Sequence, residues 1–281
     1  MKLYSINTGH FKLDGGAMFG VVPKSMWSKL NPPDENNMCS WALRCLLIED
    51  GNRLILVDNG MGNKQDAKFF GYYYLHGNDT LELSLKKYGF TPDDITDMVL
   101  THLHFDHCGG SIRYNADRTR LEPAFRNATY YCNKKHWDWA VHPNAREKAS
   151  FLKENILPIQ ESGKLTFIDG DTRLIPGLDF IVVNGHTEGM MLPVVTTGGK
   201  TVAFMADLLP SAAHIPVPYV MAYDTRPLET LREKEIVLEK AVQNNWVLFF
   251  EHDPLIECVT LERTEKGIRK KDSLTLAEAM A

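Results

Sequence analysis

Short runs of apolar residues recur along the chain, and turn-forming residues separate many of them. Such runs predict buried strands rather than helices, because an amphipathic helix needs a longer pattern with wider spacing. The last runs before residue 206 are almost continuously apolar, which is typical of strands in the interior of a sandwich. The predicted strands are residues 3–8, 41–48, 53–57, 95–100, 129–132, 165–168, 180–183, 191–196, 201–205 and 246–251.

Helical spacing is found in only a few segments, and the clearest is the longest. Residues 227–244 begin with Pro227, a favourable first helical residue, and carry charges between their apolar positions. We therefore expect an amphipathic helix that covers a sheet. Its predicted inner row is Leu228, Leu231, Glu235, Leu238 and Val242. The other predicted helices are residues 79–88, capped by Asp79, and residues 145–155, and a charged tail at 263–272 is predicted to lead into a last short helix.

Two aromatic segments have no periodicity that fixes their structure. Residues 18–27 are too irregular for a helix, and we interpret them either as a pocket wall or as a segment packed on the core. Residues 69–76 form the most aromatic window of the chain. They are compatible with a substrate-facing lid, a contact between subunits of a homodimer, or a buried structural role.

Composition places the chain among ordinary globular proteins. It has 281 residues, of which 44% are hydrophobic and 24% charged, and we expect a single domain over residues 1–281. The formal net charge of −5 and the lack of a basic stripe argue against a nucleic-acid partner. No apolar stretch is long enough for a membrane span, and the start has no secretory pattern. We therefore expect a soluble, cytoplasmic protein without a membrane partner.

The five cysteines are odd in number and include no C-x-x-C pair, which indicates reduced thiols rather than a disulfide framework. Cys108 follows directly after a histidine and could in principle bind a metal. A small residue packed beneath a glycine turn is the more ordinary interpretation, because free cysteines are commonly buried. We therefore leave Cys108 out of the predicted site.

The densest candidate chemistry lies between residues 100 and 110, where three histidines and one aspartate fall within six positions. This segment follows a predicted strand, so the side chains would lie at the carboxyl end of that strand. His102 and His104 are two residues apart and point the same way in extended backbone, so they can hold one ion. Asp106 and His107 follow where the backbone bends and can reach a second ion. The spacing therefore predicts two metals.

Histidine and aspartate spaced in this way resemble the H-x-H-x-D-H signature of the metallo-β-lactamase superfamily. Later motifs are similar to that family in the same chain order: 185–189 (Gly-His-Thr-Glu-Gly), 206–208 (Ala-Asp-Leu) and 251–254 (Glu-His-Asp-Pro). The resemblance covers at least residues 41–254. It implies an α/β fold, the four-layered αββα sandwich of that family.

The resemblance also implies the ligand set and its chemistry. One ion would take His102, His104 and His186, and the other would take Asp106, His107 and His252, with Asp207 bridging the two. Imidazole and carboxylate ligands suit two zinc ions, with iron or manganese as alternatives. The predicted catalytic residues are Asp106, which would move a proton, and Asp207, which would hold the ions around a bridging hydroxide nucleophile.

Three further polar residues are not predicted to bind metal. Asp58 ends a predicted strand, and the resemblance implies that it hydrogen-bonds the metal loop rather than touching metal. His136 and His142 have no ligand-like neighbours, so we expect both to be core or surface residues.

Within the family, residues 19–23 (Phe-Gly-Val-Val-Pro) together with 206–210 (Ala-Asp-Leu-Leu-Pro) look like the branch of N-acyl homoserine lactonases and methyl parathion hydrolases. Those lactonases have a tyrosine where this chain has Pro210, so their contact to the lactone carbonyl would need Tyr219 or Tyr223 instead. Glu188 and Met190 also depart from the common G-H-T-P-G-H form.

We therefore expect a binuclear-metal hydrolase of a small hydrophobic lactone or ester. The alternatives are a phosphotriesterase, a thioester hydrolase, or a metal-binding scaffold without turnover. The predicted substrate pocket consists of Phe19, Trp27, Phe70, Tyr73 and Tyr223.

Overall fold

The computed structural model describes residues 1–169 and 173–281. Within these ranges the strands are β1 (Lys2–Asp14), β2 (Met38–Asp50), β3 (Arg53–Val57), β4 (Asp97–Val99), β5 (Ile112–Tyr114), β6 (Leu121–Pro123), β7 (Thr129–Asn133), β8 (Leu165–Ile168), β9 (Leu178–Val183), β10 (Met190–Thr197), β11 (Lys200–Phe204), β12 (Val247–Phe249), β13 (Cys258–Thr264) and β14 (Gly267–Leu274). The α-helices are α1 (Gly15–Phe19), α2 (Lys24–Trp27), α3 (Ala67–Tyr73), α4 (Leu81–Lys87), α5 (Phe105–Cys108), α6 (Lys134–Val141), α7 (Lys153–Glu161), α8 (Pro227–Gln243) and α9 (Leu276–Met280).

The first six-stranded sheet has the order β1-β2-β3-β4-β7-β8. Strands β2 and β3 form an antiparallel hairpin, and β3, β4, β7 and β8 then run parallel to one another. Parallel strands bring their carboxyl ends to one edge of the sheet. The residues that follow Val57 and Val99, which face each other in the register, therefore emerge side by side.

The second six-stranded sheet has the order β14-β13-β12-β11-β10-β9. Most neighbours are antiparallel, but β11 and β12 are parallel and pair Phe204 with Phe249. The segments that leave these two strands start at the same edge and carry Asp207 and His252. Both six-stranded sheets combine with helices, so the α/β class is confirmed.

The chain forms two compact units. One comprises residues 1–9, 43–169 and 189–191, and the other comprises residues 10–42, 173–188 and 192–281. The prediction of one domain over residues 1–281 stays a prediction. Among the described residues, no helix is sufficiently long and apolar to cross a membrane.

Each unit has its own apolar core. In the first unit, Leu56, Met98 and Tyr130 are fully buried on neighbouring strands and belong to one cluster. In the second unit, Phe204 and Phe249 stack with their ring centroids 5.6 Å apart. Burial of this kind, at about 25 cal/mol per Å² of apolar surface, is the main stabilising contribution to such sheets.

Several predicted elements were wrong, and the reasons are local. Residues 18–27 are not irregular throughout, because the Asp14 side chain accepts a hydrogen bond from Ala17 N at 2.8 Å and caps α1. Residues 145–155 are not one helix, since α7 begins only at Lys153. The Asn144 side chain accepts hydrogen bonds from two following backbone N–H groups and holds a turn there instead.

Two further corrections concern polar segments. The charged tail at 263–272 does lead into a last short helix, α9, as predicted. The tail itself lies in the antiparallel pair β13 and β14, which was missed because these strands are largely exposed and give no apolar alternation. Thr80 rather than Asp79 caps α4, because its hydroxyl accepts the hydrogen bond from Leu83 N.

Helix α8 is present as predicted, but its inner face is not the predicted row. Leu228 is 80% exposed and Glu235 is exposed, whereas Leu238 is buried as expected. The buried positions include three polar side chains, which therefore do not appear in an apolar pattern. Glu233 and Lys234 hydrogen-bond to neighbouring loops, and Thr230 donates to Arg226 O at the start of the helix. The buried face is Thr230, Glu233, Lys234, Val237, Leu238 and Ala241.

Candidate metal centre

The segment with three histidines leaves β4 as a tightly packed loop and the single turn α5. Glycine is required after this turn, because a Cβ atom at Gly109 would lie 2.1 Å from Met61 O. A Cβ atom at Gly110 would lie 2.4 Å from Asn59 O. The close approach of the two backbone segments fixes the position of the side chains on the loop.

His102 and His104 face each other through ring nitrogens. Nε2 of His102 and Nδ1 of His104 are 3.1 Å apart. Two ligand atoms of a tetrahedral zinc ion, each bound at about 2.0–2.1 Å, are separated by about 3.3 Å. On the other side of its ring, His102 Nδ1 lies 3.0 Å from Thr101 Oγ1. The distance between the two nitrogens of His102 and His104 is thus close to the one that two ligands of a single zinc ion would need.

Asp58 holds this loop from the end of β3. Its carboxylate accepts hydrogen bonds from Thr101 N at 2.8 Å and Thr101 Oγ1 at 2.6 Å. Oδ2 also lies 3.2 Å from His107 Nδ1. The predicted hydrogen bonding of the metal loop by Asp58 is thus confirmed, and His107 Nε2 is left to face Asp106 Oδ2 at 3.9 Å.

Asp207 presents each carboxylate oxygen to a different histidine. Oδ2 lies 3.1 Å from His186 Nε2, and Oδ1 lies 3.1 Å from His252 Nε2. All three side chains are buried. Each carboxylate oxygen of Asp207 therefore faces the imidazole nitrogen of a different buried histidine.

His186 has a carboxylate on its far side as well. Its Nδ1–H donates to Asp224 Oδ1 at 2.8 Å, which orients the ring and leaves Nε2 for a ligand bond. Burial by itself lowers the pKa of His186, but Asp207 and Asp224 outweigh burial and raise the pKa to about 10. Asp224 was missed by the sequence analysis, because nothing in its spacing connects it with His186.

His252 is oriented by backbone groups. Its Nδ1–H donates to Ala42 O at 2.8 Å, and Pro210 O accepts a hydrogen bond from its backbone N at 3.1 Å. The ring of Phe11 contacts the imidazole edge-on at 5.5 Å. Pro210 thus supports a predicted ligand through its carbonyl, although it cannot supply the side-chain hydroxyl of a tyrosine.

The donor set fits divalent metal ions. Each of the seven predicted ligands belongs to a buried group of histidine and acidic side chains that could hold a metal ion. Imidazole nitrogens and carboxylate oxygens are the ligands that zinc and similar ions take in catalytic sites. The first unit brings together four of these residues and the second unit three. These are His102, His104, Asp106 and His107 in the first, and His186, Asp207 and His252 in the second.

Two buried residues contact the metal loop in ways that the sequence did not predict. Glu147 is buried and places Oε1 3.6 Å from His104 Nε2, while its Oε2 accepts a hydrogen bond from Trp139 Nε1. His136 is buried, as the core alternative predicted, and its Nε2 accepts a hydrogen bond from Leu103 N at 2.7 Å. His142 is exposed and remains outside this cluster.

Cys108 is buried, and its thiol donates towards Leu103 O at 3.3 Å. Burial raises the pKa of this thiol to about 12, so it is protonated at neutral pH. The interpretation of Cys108 as a packed residue beneath the glycine turn is therefore confirmed.

Phe19 and Trp27, two predicted pocket residues, lie in the core of the second unit. Phe19 is completely buried and Trp27 is 2% exposed. Phe19 stacks between Trp27 at 5.3 Å and His214 at 4.7 Å. Neither ring presents surface to a ligand, so their assignment to the pocket wall is corrected to the alternative, a segment packed on the core.

The other predicted pocket residues are partly accessible. Phe70 and Tyr73 lie on α3, a helix with no fully buried residue, and Tyr73 packs on Phe105 with centroids 4.7 Å apart. Burial and then the Asp106 carboxylate raise the pKa of Tyr73 to about 12. Helix α3 therefore lies beside a predicted metal ligand. Tyr223 is 39% exposed.

Comparison with known proteins identifies the family of the chain. The sequence matches the model of the metallo-beta-lactamase superfamily over residues 44–252. N-acyl homoserine lactonase AiiA of Bacillus thuringiensis subsp. kurstaki is 26% identical over 265 residues, which cover 90% of this chain and 93% of that protein.

Solved structures show the same fold. A probable metal-dependent hydrolase from Staphylococcus aureus has a TM-score of 0.86 at 28% identity and covers 98% of both chains. AidC, a dizinc quorum-quenching lactonase in complex with a product, has a TM-score of 0.79 at 21% identity, covering 98% of this chain and 95% of that one. The predicted family and its α/β fold are confirmed. The chain belongs to the metallo-β-lactamase superfamily.

Proposed function

We propose that this protein hydrolyses small hydrophobic lactones or esters with two divalent metal ions, most suitably zinc. In this proposal one ion is held by His102, His104 and His186, and the other by Asp106, His107 and His252. Asp207 bridges them. When bound, such a pair of ions supplies hydroxide at neutral pH and polarises the scissile carbonyl.

The observation that carries the proposal is the geometry of Asp207. Its two oxygens each lie 3.1 Å from Nε2 of a different buried histidine. A single-metal site would need only one of these contacts. The carboxylate, together with the loop motif, supports a two-metal hydrolase over a mononuclear site.

Asp106 is the residue proposed to move the proton. It is a largely buried carboxylate, with a side chain 12% exposed, on the same turn as His107. A carboxylate there can take a proton from the attacking water and give it to the leaving alkoxide oxygen. The same residue would serve a lactone and an acyclic ester, because both release an alkoxide.

Substrate class is proposed from the aromatic surface on α3. Phe69 and Tyr73 both contact Phe105, the residue that precedes Asp106, at centroid distances of 5.3 and 4.7 Å. An acyl chain lying on such rings gains about 25 cal/mol for each Å² removed from water. This favours hydrophobic, uncharged substrates.

A phosphotriesterase is the second candidate, and Pro210 favours it. The proline offers no hydroxyl to a lactone carbonyl, and its backbone carbonyl is already bonded to His252 N. Tyr223 is accessible and is the proposed substitute donor for a lactone. The possible homodimer stays a prediction.

Turnover of a substrate panel tests this proposal. The zinc-loaded protein should show kcat/KM values for acyl lactones that rise with acyl length and exceed those for aryl esters and phosphotriesters. Asp207→Ala serves as the control for contaminating activity. A flat series across acyl lengths, or hydrolysis restricted to charged phosphodiesters, would contradict the proposal.

A further inference from the structure

The turn that carries His186 is held by a carboxylate from helix α8. Glu233 accepts hydrogen bonds from Asn184 N at 2.6 Å and Gly185 N at 2.9 Å, one on each oxygen. Glu233 is only 8% exposed. An anion on successive backbone N–H groups stabilises such a turn, because both dipoles point at the same charge. The two bonds end at the residue directly before the predicted ligand.

The carbonyl groups of the same turn are bonded to the start of α8. Arg226 N donates to Gly185 O at 2.8 Å, and its guanidinium donates to Asn184 O at 2.7 Å. Thr225 N donates to His186 O at 3.0 Å. Backbone groups on both sides of the turn are thus fixed by one helix and the segment that leads into it.

Close packing makes the position of the turn depend on this helix. A Cβ atom at Gly185 would lie 2.4 Å from Thr230 N, so only glycine lets the turn approach α8 so closely. The Arg226 guanidinium also pairs with Glu188 at 2.7 Å, beyond the histidine. Glu188 stands where the family form has proline, and here an ion pair rather than a ring restrains that side of the turn.

We propose that Glu233 is a positioning residue for the metal ligand His186. By fixing the backbone of Asn184 and Gly185, Glu233 sets the position and orientation of the His186 ring relative to Asp207 and Asp224. Helix α8 then does more than cover a sheet, because its buried polar face determines the geometry of one metal ligand. The inference depends on the proposed metal assignment, in which His186 shares an ion with His102 and His104.

Matched substitutions on one helix test the inference. Glu233→Gln is nearly isosteric, but its amide has one carbonyl oxygen and turns an N–H₂ group towards the second backbone N–H. Glu233→Ala removes both acceptors. The controls are Glu235→Gln and Glu235→Ala, since Glu235 is an exposed glutamate on the same helix.

Two readouts that need no turnover are measured: zinc affinity by chelator competition, and the visible absorption of cobalt(II) in place of zinc. We expect the Glu233 variants to bind one of the two ions about tenfold more weakly, as is typical when groups that orient a metal ligand are lost. The cobalt bands should change in position or intensity. The Glu235 variants should match the wild type in both measurements.

The inference is overturned if folded Glu233→Gln keeps the wild-type zinc affinity and cobalt spectrum. It is also overturned if the variants only lower the thermal stability of the metal-free protein, because that indicates a structural role alone. If Glu233→Ala does not fold, the Gln variant decides. Failure of the proposed function would appear in the wild type itself, as absent metal or turnover, whereas failure of this inference appears only in the comparison of Glu233 with Glu235.

Discussion

At the scale of single residues, the predicted ligands and their supports differ in how visible they are in the sequence. His102 and Asp106 lie in one dense motif, which few roles other than metal binding explain. Asp224 and Glu147, in contrast, are isolated acids far from the histidines that they contact. Their roles arise from where loops bring them, so no spacing rule could have identified them.

Asp224 should control the strength of metal binding through His186. Asp224→Asn keeps an acceptor for the Nδ1–H group but loses the charge, and Asp224→Ala loses both. We expect zinc affinity to fall about 10- to 100-fold in the Ala variant and less in the Asn variant. The control is Asp179→Asn, since the Asp179 side chain is about half exposed (49%). Unchanged zinc affinity in Asp224→Ala, measured by chelator competition, would show that Asp224 does not orient the ligand.

His214 should make stability depend on pH. Its Nδ1 lies 2.8 Å from Ser211 Oγ and its Nε2–H donates to Met18 O, and burial lowers its pKa from 6.5 to about 3. Between about pH 3 and pH 6.5, the unfolded chain therefore binds a proton at His214 and the folded chain does not. The stabilisation is fully present above pH 6.5 and is lost as pH falls towards 3.

Urea unfolding of metal-free protein at pH 7.5 and 5 measures this effect. We expect the wild type to lose about 2 kcal/mol more than His214→Gln over that interval, since each pKa unit corresponds to about 1.4 kcal/mol. The exposed His142→Gln variant should follow the wild type. Equal losses in wild type and His214→Gln would contradict the assignment of a buried neutral imidazole.

At the scale of elements, the apolar pattern predicted most strands and the long helix, but it did not predict which face of that helix is buried. Helix α8 buries Glu233 and Lys234, and the Lys234 ammonium donates to three carbonyls of the loop at 216–219. A buried face built from hydrogen-bonded polar groups cannot be told from an exposed one by hydrophobicity. The hairpin of β13 and β14 was missed for a similar reason, because its strands are largely exposed.

Helix α3 should determine the preference for long acyl chains. Tyr73→Ala removes a ring that packs on Phe105, whereas Tyr72, its neighbour, is 62% exposed and serves as the control. We expect KM for long-chain lactones to rise roughly tenfold in Tyr73→Ala, because about 55 Å² of lost apolar contact corresponds to that factor. KM for short-chain lactones should change little. An equal change for short and long chains, or the same change in Tyr72→Ala, would contradict this role.

At the scale of the whole molecule, the family could be predicted because four motifs occur in the family's order, and the match over residues 44–252 confirms it. The division into two compact units could not be predicted, because each unit is assembled from several separate segments of the chain. Within each unit, the proposed ligands follow the carboxyl ends of strands. The central claim is a two-metal hydrolase in which Asp207 is the proposed bridge.

The metal content of the folded, zinc-reconstituted protein tests this claim most directly. Elemental analysis should give about two zinc ions per chain for the wild type, and clearly fewer for Asp207→Ala, because both ions lose a ligand. The surface variant Asp179→Asn should retain both ions. A folded wild type that holds one ion or none, or an Asp207→Ala variant that keeps two ions and full turnover, would contradict the binuclear site.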